Sequence, residues 1–180
     1  AFNGGSMEKN FTIPASVNYI GSFAFSNTLN RLNFQEDCQL VVLGPYSFAQ
    51  INPRLIGWGN CNQLTSIGEG AFYAANVFSI VNRDTLQFTI PASVETLGNF
   101  AFSGVLNDFG SPPIIFEEGS RVTAIPDYFI YNGFCYSIEI PPLVTTIGEY
   151  AFSQTRMRSF TLGNQIETIG EHAFSYNEFF

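Results

Sequence analysis

The apolar positions of this 180-residue chain recur as a fixed nine-residue phrase. It comprises an aliphatic residue, a second aliphatic three later, a glycine directly after that, and a small residue followed by an aromatic at the close. The copies are VNYIGSFAF from Val17, LVVLGPYSF from Leu40, LTSIGEGAF from Leu64, VETLGNFAF from Val94, VTAIPDYFI from Val122, VTTIGEYAF from Val144 and IETIGEHAF from Ile166. Their closing residues, Phe25, Phe48, Phe72, Phe102, Ile130, Phe152 and Phe174, stand 23, 24, 30, 28, 22 and 22 apart. Self-similarity at a period of about 20 to 50 residues is the signature of a solenoid or related repeat array.

Each phrase follows a second apolar pair in strict alternation: Phe11 and Ile13, Leu32 and Phe34, Ile56 and Trp58, Phe88 and Ile90, Ile114 and Phe116, Ile138 and Ile140, Phe160 and Leu162. Period two predicts a short strand. The spacing from strand to phrase is 4 or 6 only, so insertions are excluded from the coil itself. Extra length gathers between Phe72 and Ile90 and between Phe102 and Phe116, which predicts two surface loops. Stacking has an energetic reason. Ordering a coil of some 23 residues costs roughly 1 to 2 kcal/mol per residue. Its five or six apolar side chains return only about 1.5 to 3 kcal/mol each on burial. A lone coil therefore does not fold, whereas neighbours that share burial do.

Within the phrase each position has an assigned task. The glycine either takes a positive φ or permits close backbone approach at a corner. The glutamates after it, Glu69, Glu149 and Glu171, suit the start of a short helical turn. The small residue, such as Ala24, Ser47, Ala71, Ala101, Ala151 or Ala173, lets neighbouring coils approach and leaves the aromatic as core plug. The fifth copy departs: Pro126 replaces glycine and Phe129 with Ile130 replace the small and aromatic pair, so this coil is where distortion is expected.

The segments IPASVNYIGSFAF, IPASVETLGNFAF and IPPLVTTIGEYAF, each after an alternating strand, resemble the BspA-like leucine-rich repeats, or Treponema-type repeats, of microbial surface proteins. The resemblance covers nearly the whole chain. It departs from the family pattern in lacking the cysteine or asparagine often found just after the AF pair. It implies a β-rich solenoid: a right-handed leucine-rich-repeat coil with a parallel sheet on its concave face and short helical turns or irregular structure opposite. It further implies adhesion and protein binding at an extracellular or cell-surface location.

Composition narrows the field. The chain is 46% apolar with 20 phenylalanines, enough to fill an elongated core. Seven basic residues stand against fifteen acidic, with a net charge of -8, so no basic stripe is present to neutralise nucleic acid. No apolar run reaches the roughly 18 to 20 residues that span a bilayer, which gives no direct membrane insertion. Residues 1–180 read as a single array of about seven repeats. Both ends fall inside a repeat, which predicts a segment of a longer chain with signal and anchor elsewhere.

No catalytic, cofactor or metal site is expected. The lone histidine, His172, occupies the variable position filled elsewhere by Phe23, Tyr46, Gly70, Phe100, Tyr128 and Tyr150, and reads as a packed coil residue. The DFG at Asp108 to Gly110 lacks the other kinase elements. Glu117 and Glu118 read as solvated charge in a turn, and the sequon at Asn10 to Thr12 lies on a strand. Cys38 and Cys61 fall in the same turn of adjacent coils, about 4.8 Å apart if stacked as strands are. They are compatible with a disulfide or with two stacked buried thiols. Cys135 reads as a core residue at a strand start.

What remains is a surface. Alternation turns outward Asn10 and Thr12, Arg31 and Asn33, Leu55 and Gly57, Gln87 and Thr89, Pro113 and Ile115, Ser137 and Glu139, Ser159 and Thr161. These rungs predict one continuous sheet face, small and polar with an apolar middle, suited to protein recognition rather than to a deep pocket. The reading is a non-enzymatic binding module contacting a host, matrix or surface protein through that face and the 73–87 loop, with a glycan as the lesser ligand. The alternatives are a passive stalk carrying another domain, or an accessory module of a secreted enzyme.

Overall fold

The computed structural model describes residues 11–27, 32–51, 56–57, 61–75, 88–105, 114–135 and 137–179. It is a solenoid of parallel strands; each coil contributes two of them, and the last two coils a third that pairs between them. The first half runs β1 (Phe11–Ile13), β2 (Tyr19–Ile20), β3 (Leu32–Phe34), β4 (Val42–Leu43), β5 (Ile56–Gly57), β6 (Ser66–Ile67), β7 (Phe88–Ile90) and β8 (Thr96–Leu97). The second runs β9 (Ile114–Phe116), β10 (Ala124–Ile125), β11 (Ser137–Glu139), β12 (Thr146–Ile147), β13 (Arg156–Met157), β14 (Ser159–Thr161), β15 (Thr168–Ile169) and β16 (Glu178–Phe179). The alternating pairs seed the long-strand ladder β1-β3-β5 and its continuation β7-β9-β11-β14. A second ladder, β2-β4-β6-β8 and β10-β12-β15, uses the two residues before each glycine. Sequence alternation does not announce it, because two residues are too few to display a period.

No described residue is helical, so the expected helical turns are replaced by a different device. After each glycine the chain enters a six-residue turn with two left-handed residues four apart. Phe23 with Asn27, Tyr46 with Gln50, Phe100 with Gly104, Tyr128 with Asn132, Tyr150 with Gln154 and His172 with Tyr176 all have φ between 49° and 66°. Left-handed φ costs a side-chain-bearing residue roughly 1 to 2 kcal/mol. Inter-coil hydrogen bonds hold it there: Tyr46 N–H donates to Glu69 O at 2.7 Å, Phe48 N–H to Ala71 O at 2.8 Å and Gln50 N–H to Tyr73 O at 2.7 Å. The same three bonds join the later coils, as from Tyr150, Phe152 and Gln154 to Glu171, Ala173 and Ser175.

The glycine of the phrase works by close approach, not by positive φ. Gly68 N–H donates to Leu43 O at 2.8 Å, and a Cβ on Gly68 would stand 2.7 Å from that oxygen. The left-handed position two residues later carries an aromatic or histidine in every coil but one, where Gly70 has φ 54°. In that coil the Tyr46 ring leans over Gly70.

Inside, the plugs form a file. Phe25, Phe48, Phe72 and Phe102 stack with centroids 5.4, 5.6 and 5.2 Å apart and planes within 12° of parallel. Phe88 from the long-strand ladder closes edge-on against Phe72 and Phe102. The fifth coil interrupts the file yet keeps its backbone: Tyr128 and Asn132 hold the same left-handed φ, and Phe102 N–H still finds Phe129 O at 2.9 Å. Phe129 turns edge-on to Phe102 and Phe152 and, with Ile130, is fully buried. The expected distortion is confined to one spot. Pro126 has no N–H to give, and the short-strand ladder is divided there, between β8 and β10. The pattern also opens at the last coil, where Leu162, expected inward, is 46% exposed.

Ser47 occupies the small position, fully buried, with its Oγ unpartnered. Its counterparts are alanines, apart from Phe129 in the fifth copy. Ser47→Ala is therefore expected to raise stability by about 1 kcal/mol, because a buried hydroxyl without a partner carries its full desolvation penalty. Urea titration of both proteins checks the sign.

Candidate functional site

The long-strand ladder carries its small and polar residues outward in aligned rows. Thr12 stands beside Asn33 and Asn33 beside Gly57. Thr89 stands beside Ile115, Ser137 beside Ser159, and Glu139 beside Thr161. Ile138 pairs with Ile114, which sets Glu139 in the row of Ile115. Burial follows the alternation: Ile138 is 3% exposed while Ser137 and Glu139 reach solvent, and Phe88 and Ile90 are buried on either side of half-buried Thr89. Asn10, Arg31, Leu55, Gln87 and Pro113 lie outside the described residues, as do the DFG, the 76–87 part of the loop and most of the second insertion. Between β5 and β7 the face is not described, so the expected single sheet stands as two ladders.

Over β9, β11 and β14 this face forms an open groove of about 620 Å³. Ile115, Ser137, Glu139, Ser159 and Thr161 line it together with two turns that the alternation does not reach, Glu117 to Ser120 and Pro141 with Pro142. Each turn owes its shape to identifiable residues. Gly119 supplies φ 81°, and Pro141 with Pro142 restricts the other. Glu117 is more than solvated charge: its Oε2 accepts from Ala92 N–H at 2.8 Å and caps the turn of the preceding coil. Gln35 does the same for Ala15 at 3.0 Å, so a side-chain acceptor three residues after the first apolar strand residue is a recurrent cap. Among the described residues the one salt bridge is Arg121 to Glu95, and no cation pairs with Glu117, Glu118 or Glu139.

Cys38 and Cys61 form a disulfide with Cα atoms 4.7 Å apart, which decides between the two arrangements the sequence left open. Cys135 is fully buried before β11 and donates to Ser137 O at 3.2 Å. Burial pushes its thiol up to about 11, so the nucleophilic thiolate is scarce at neutral pH. His172 is exposed and stacks on Tyr150 at 4.8 Å. It continues a file made by Phe100, Tyr128 and Tyr150 along the outside of the turns. Tyr46 belongs to the corresponding file with Phe23, and partial burial, reinforced by its 3.0 Å bond to Glu69, raises its phenol. No group of three or more potential metal ligands is present among the described residues, and no described helix is long and apolar enough to cross a membrane.

Comparison with known proteins agrees with this architecture. No curated protein shows significant similarity to the chain. A leucine-rich cell surface protein of Faecalibacterium prausnitzii, known from its crystal structure, is 24% identical with a TM-score of 0.54. The match covers 82% of this chain and 38% of that one, so the present chain spans well under half of the neighbour's length. The family model described as BspA type leucine rich repeat region matches in six copies over residues 1–86 and 62–179. By its repeat, its register and that match, the chain belongs to the BspA-type leucine-rich-repeat family.

Proposed function

We propose that this chain is a non-enzymatic protein-binding module of a microbial surface protein, and that it engages its partner through the outward face of the long-strand ladder. The observation that carries the reading is the groove over β9, β11 and β14, where outward residues from three coils and two adjoining turns line one concavity. The parallel ladder pairs β9, β11 and β14 by backbone bonds, which reduces the ordering entropy that opposes association. The buried disulfide supports maturation in an oxidising compartment, as for an extracellular or cell-surface chain. The Faecalibacterium prausnitzii neighbour, a cell surface protein, points the same way. The carboxylates of Glu118 and Glu139, which pair with no cation among the described residues, favour a partner surface with basic groups.

The test is retention on immobilised matrix and host-surface proteins by biolayer interferometry. Ser159→Trp and Glu139→Arg are expected to weaken retention by about tenfold or more, equivalent to about 1.4 kcal/mol, with unchanged melting temperature because both positions are exposed. Retention that ignores both changes, or its absence from every surface, would leave the stalk reading in its place.

A further inference from the structure

A second concavity lies away from the groove, beside the turn column of the last coils. It measures about 380 Å³ and is lined by Asn132, Phe134, Gln154, Thr155, Arg156 and Tyr176. We propose that it is a saccharide-binding site that takes a neutral sugar unit, with a sugar face on Tyr176 and hydroxyls bonded by Asn132, Gln154 and Arg156.

The argument begins with the backbone. Asn132, Gln154 and Tyr176 are successive rungs of the second left-handed column, with φ of 49°, 57° and 56°. Inter-coil bonds fix two of them, Asn132 N–H to Ser153 O at 3.0 Å and Gln154 N–H to Ser175 O at 2.9 Å. Two carboxamides and a phenol are thus presented at coil spacing on a frame that does not reorganise.

Side-chain chemistry selects the ligand. The Gln154 amide donates through Nε2 to Tyr131 Oη at 3.1 Å, which orients its Oε1 as an acceptor. Arg156 lies over the Phe134 ring at 5.1 Å, and its guanidinium has five N–H donors in one plane. Phe134 is therefore covered, which leaves Tyr176, 79% exposed, as the open ring at the rim. Thr155 is fully buried and its hydroxyl serves Phe152 O and Asn177 Oδ1, so it forms floor rather than contact. An open ring beside fixed donors and acceptors matches a molecule with an apolar C–H face and a rim of hydroxyls. The ligand is neutral because the chain as a whole carries a net charge of -8, which disfavours an anionic sugar.

The experiment is saturation-transfer NMR followed by calorimetry on the intact chain. The probes are chitotetraose, cellotetraose and mannotetraose, with an oligogalacturonate and a Gly-Ser tetrapeptide as controls. At least one neutral oligosaccharide is expected to bind at up to about 10 mM, a free energy near or above the weakest useful range. Tyr176→Ala is expected to weaken it by about tenfold and Gln154→Ala by about threefold, whereas Ser159→Trp in the other groove leaves it unchanged. Tyr176 is exposed, so its variant keeps the fold, which a melting curve verifies. Absence of binding by all three neutral probes, undiminished binding in Tyr176→Ala, or preference for the oligogalacturonate or the peptide overturns the proposal.

Discussion

Phe102→Ala is expected to cost about 4 kcal/mol, among the largest losses any single truncation produces here. Phe102 is fully buried, and three rings meet it: Phe72 at 5.2 Å, Phe88 at 5.0 Å and Phe129 at 5.3 Å. Truncation removes the plug of one coil and the shared wall of two neighbours at once. Because repeat arrays distribute stability between adjacent units, the damage should concentrate rather than spread. Amide exchange is expected to accelerate most for Phe72 and Ile130 and to change least for Leu43. A melting temperature lowered by about 10 °C accompanies a loss of this size in a chain of this length. A change under about 1 kcal/mol would mean that the ring file does not hold the coils together.

The second expectation concerns a residue with no side chain. Gly68→Ala is expected to destabilise by about 3 kcal/mol, the upper part of the range for overpacking. Its new Cβ would stand 2.7 Å from Leu43 O, 2.8 Å from Gly44 C and 2.9 Å from Pro45 N, all of them main-chain atoms that no rotamer change can move aside. Gly119→Ala is the informative contrast. Nothing lies within 4 Å of a Cβ there, so its cost is the left-handed φ of 81° alone. Guanidinium unfolding of both variants ranks them; equal costs would show that conformational freedom, not contact, keeps the phrase glycine.

Much of this was legible beforehand. The nine-residue phrase gives the period, and strict alternation at Phe88, Thr89 and Ile90 or at Ser137, Ile138 and Glu139 gives both strand and face. The turn conformation was not legible, because local chemistry there is ambiguous. Glu69, Glu149 and Glu171 suggest a helical start, yet the turns they open are left-handed at Gly70, Tyr150 and His172. A tyrosine and a histidine do not advertise that conformation; inter-coil hydrogen bonding imposes it, and such bonding is a tertiary fact. Pro126 predicts trouble correctly but cannot reveal that only one ladder yields. The groove and the sugar pocket are hidden for the same reason. Alternation marks Ser137 and Thr161 as outward, but the walls at Glu118 and Pro142, and the meeting of Asn132 with Tyr176 across 44 positions, arise only when coils are stacked.

The two edges of each coil bond in opposite senses. Gly44 gives its N–H backward to Ile20, and Phe48 gives its N–H forward to Ala71. Every unit that keeps the phrase glycine therefore presents the same sockets above and below, whatever side chains it bears; the fifth, with Pro126, lacks one of them. Duplication or loss of a whole unit re-creates an identical joint, so reach can lengthen or shorten in steps of about 4.8 Å while the exposed chemistry diversifies independently of the scaffold.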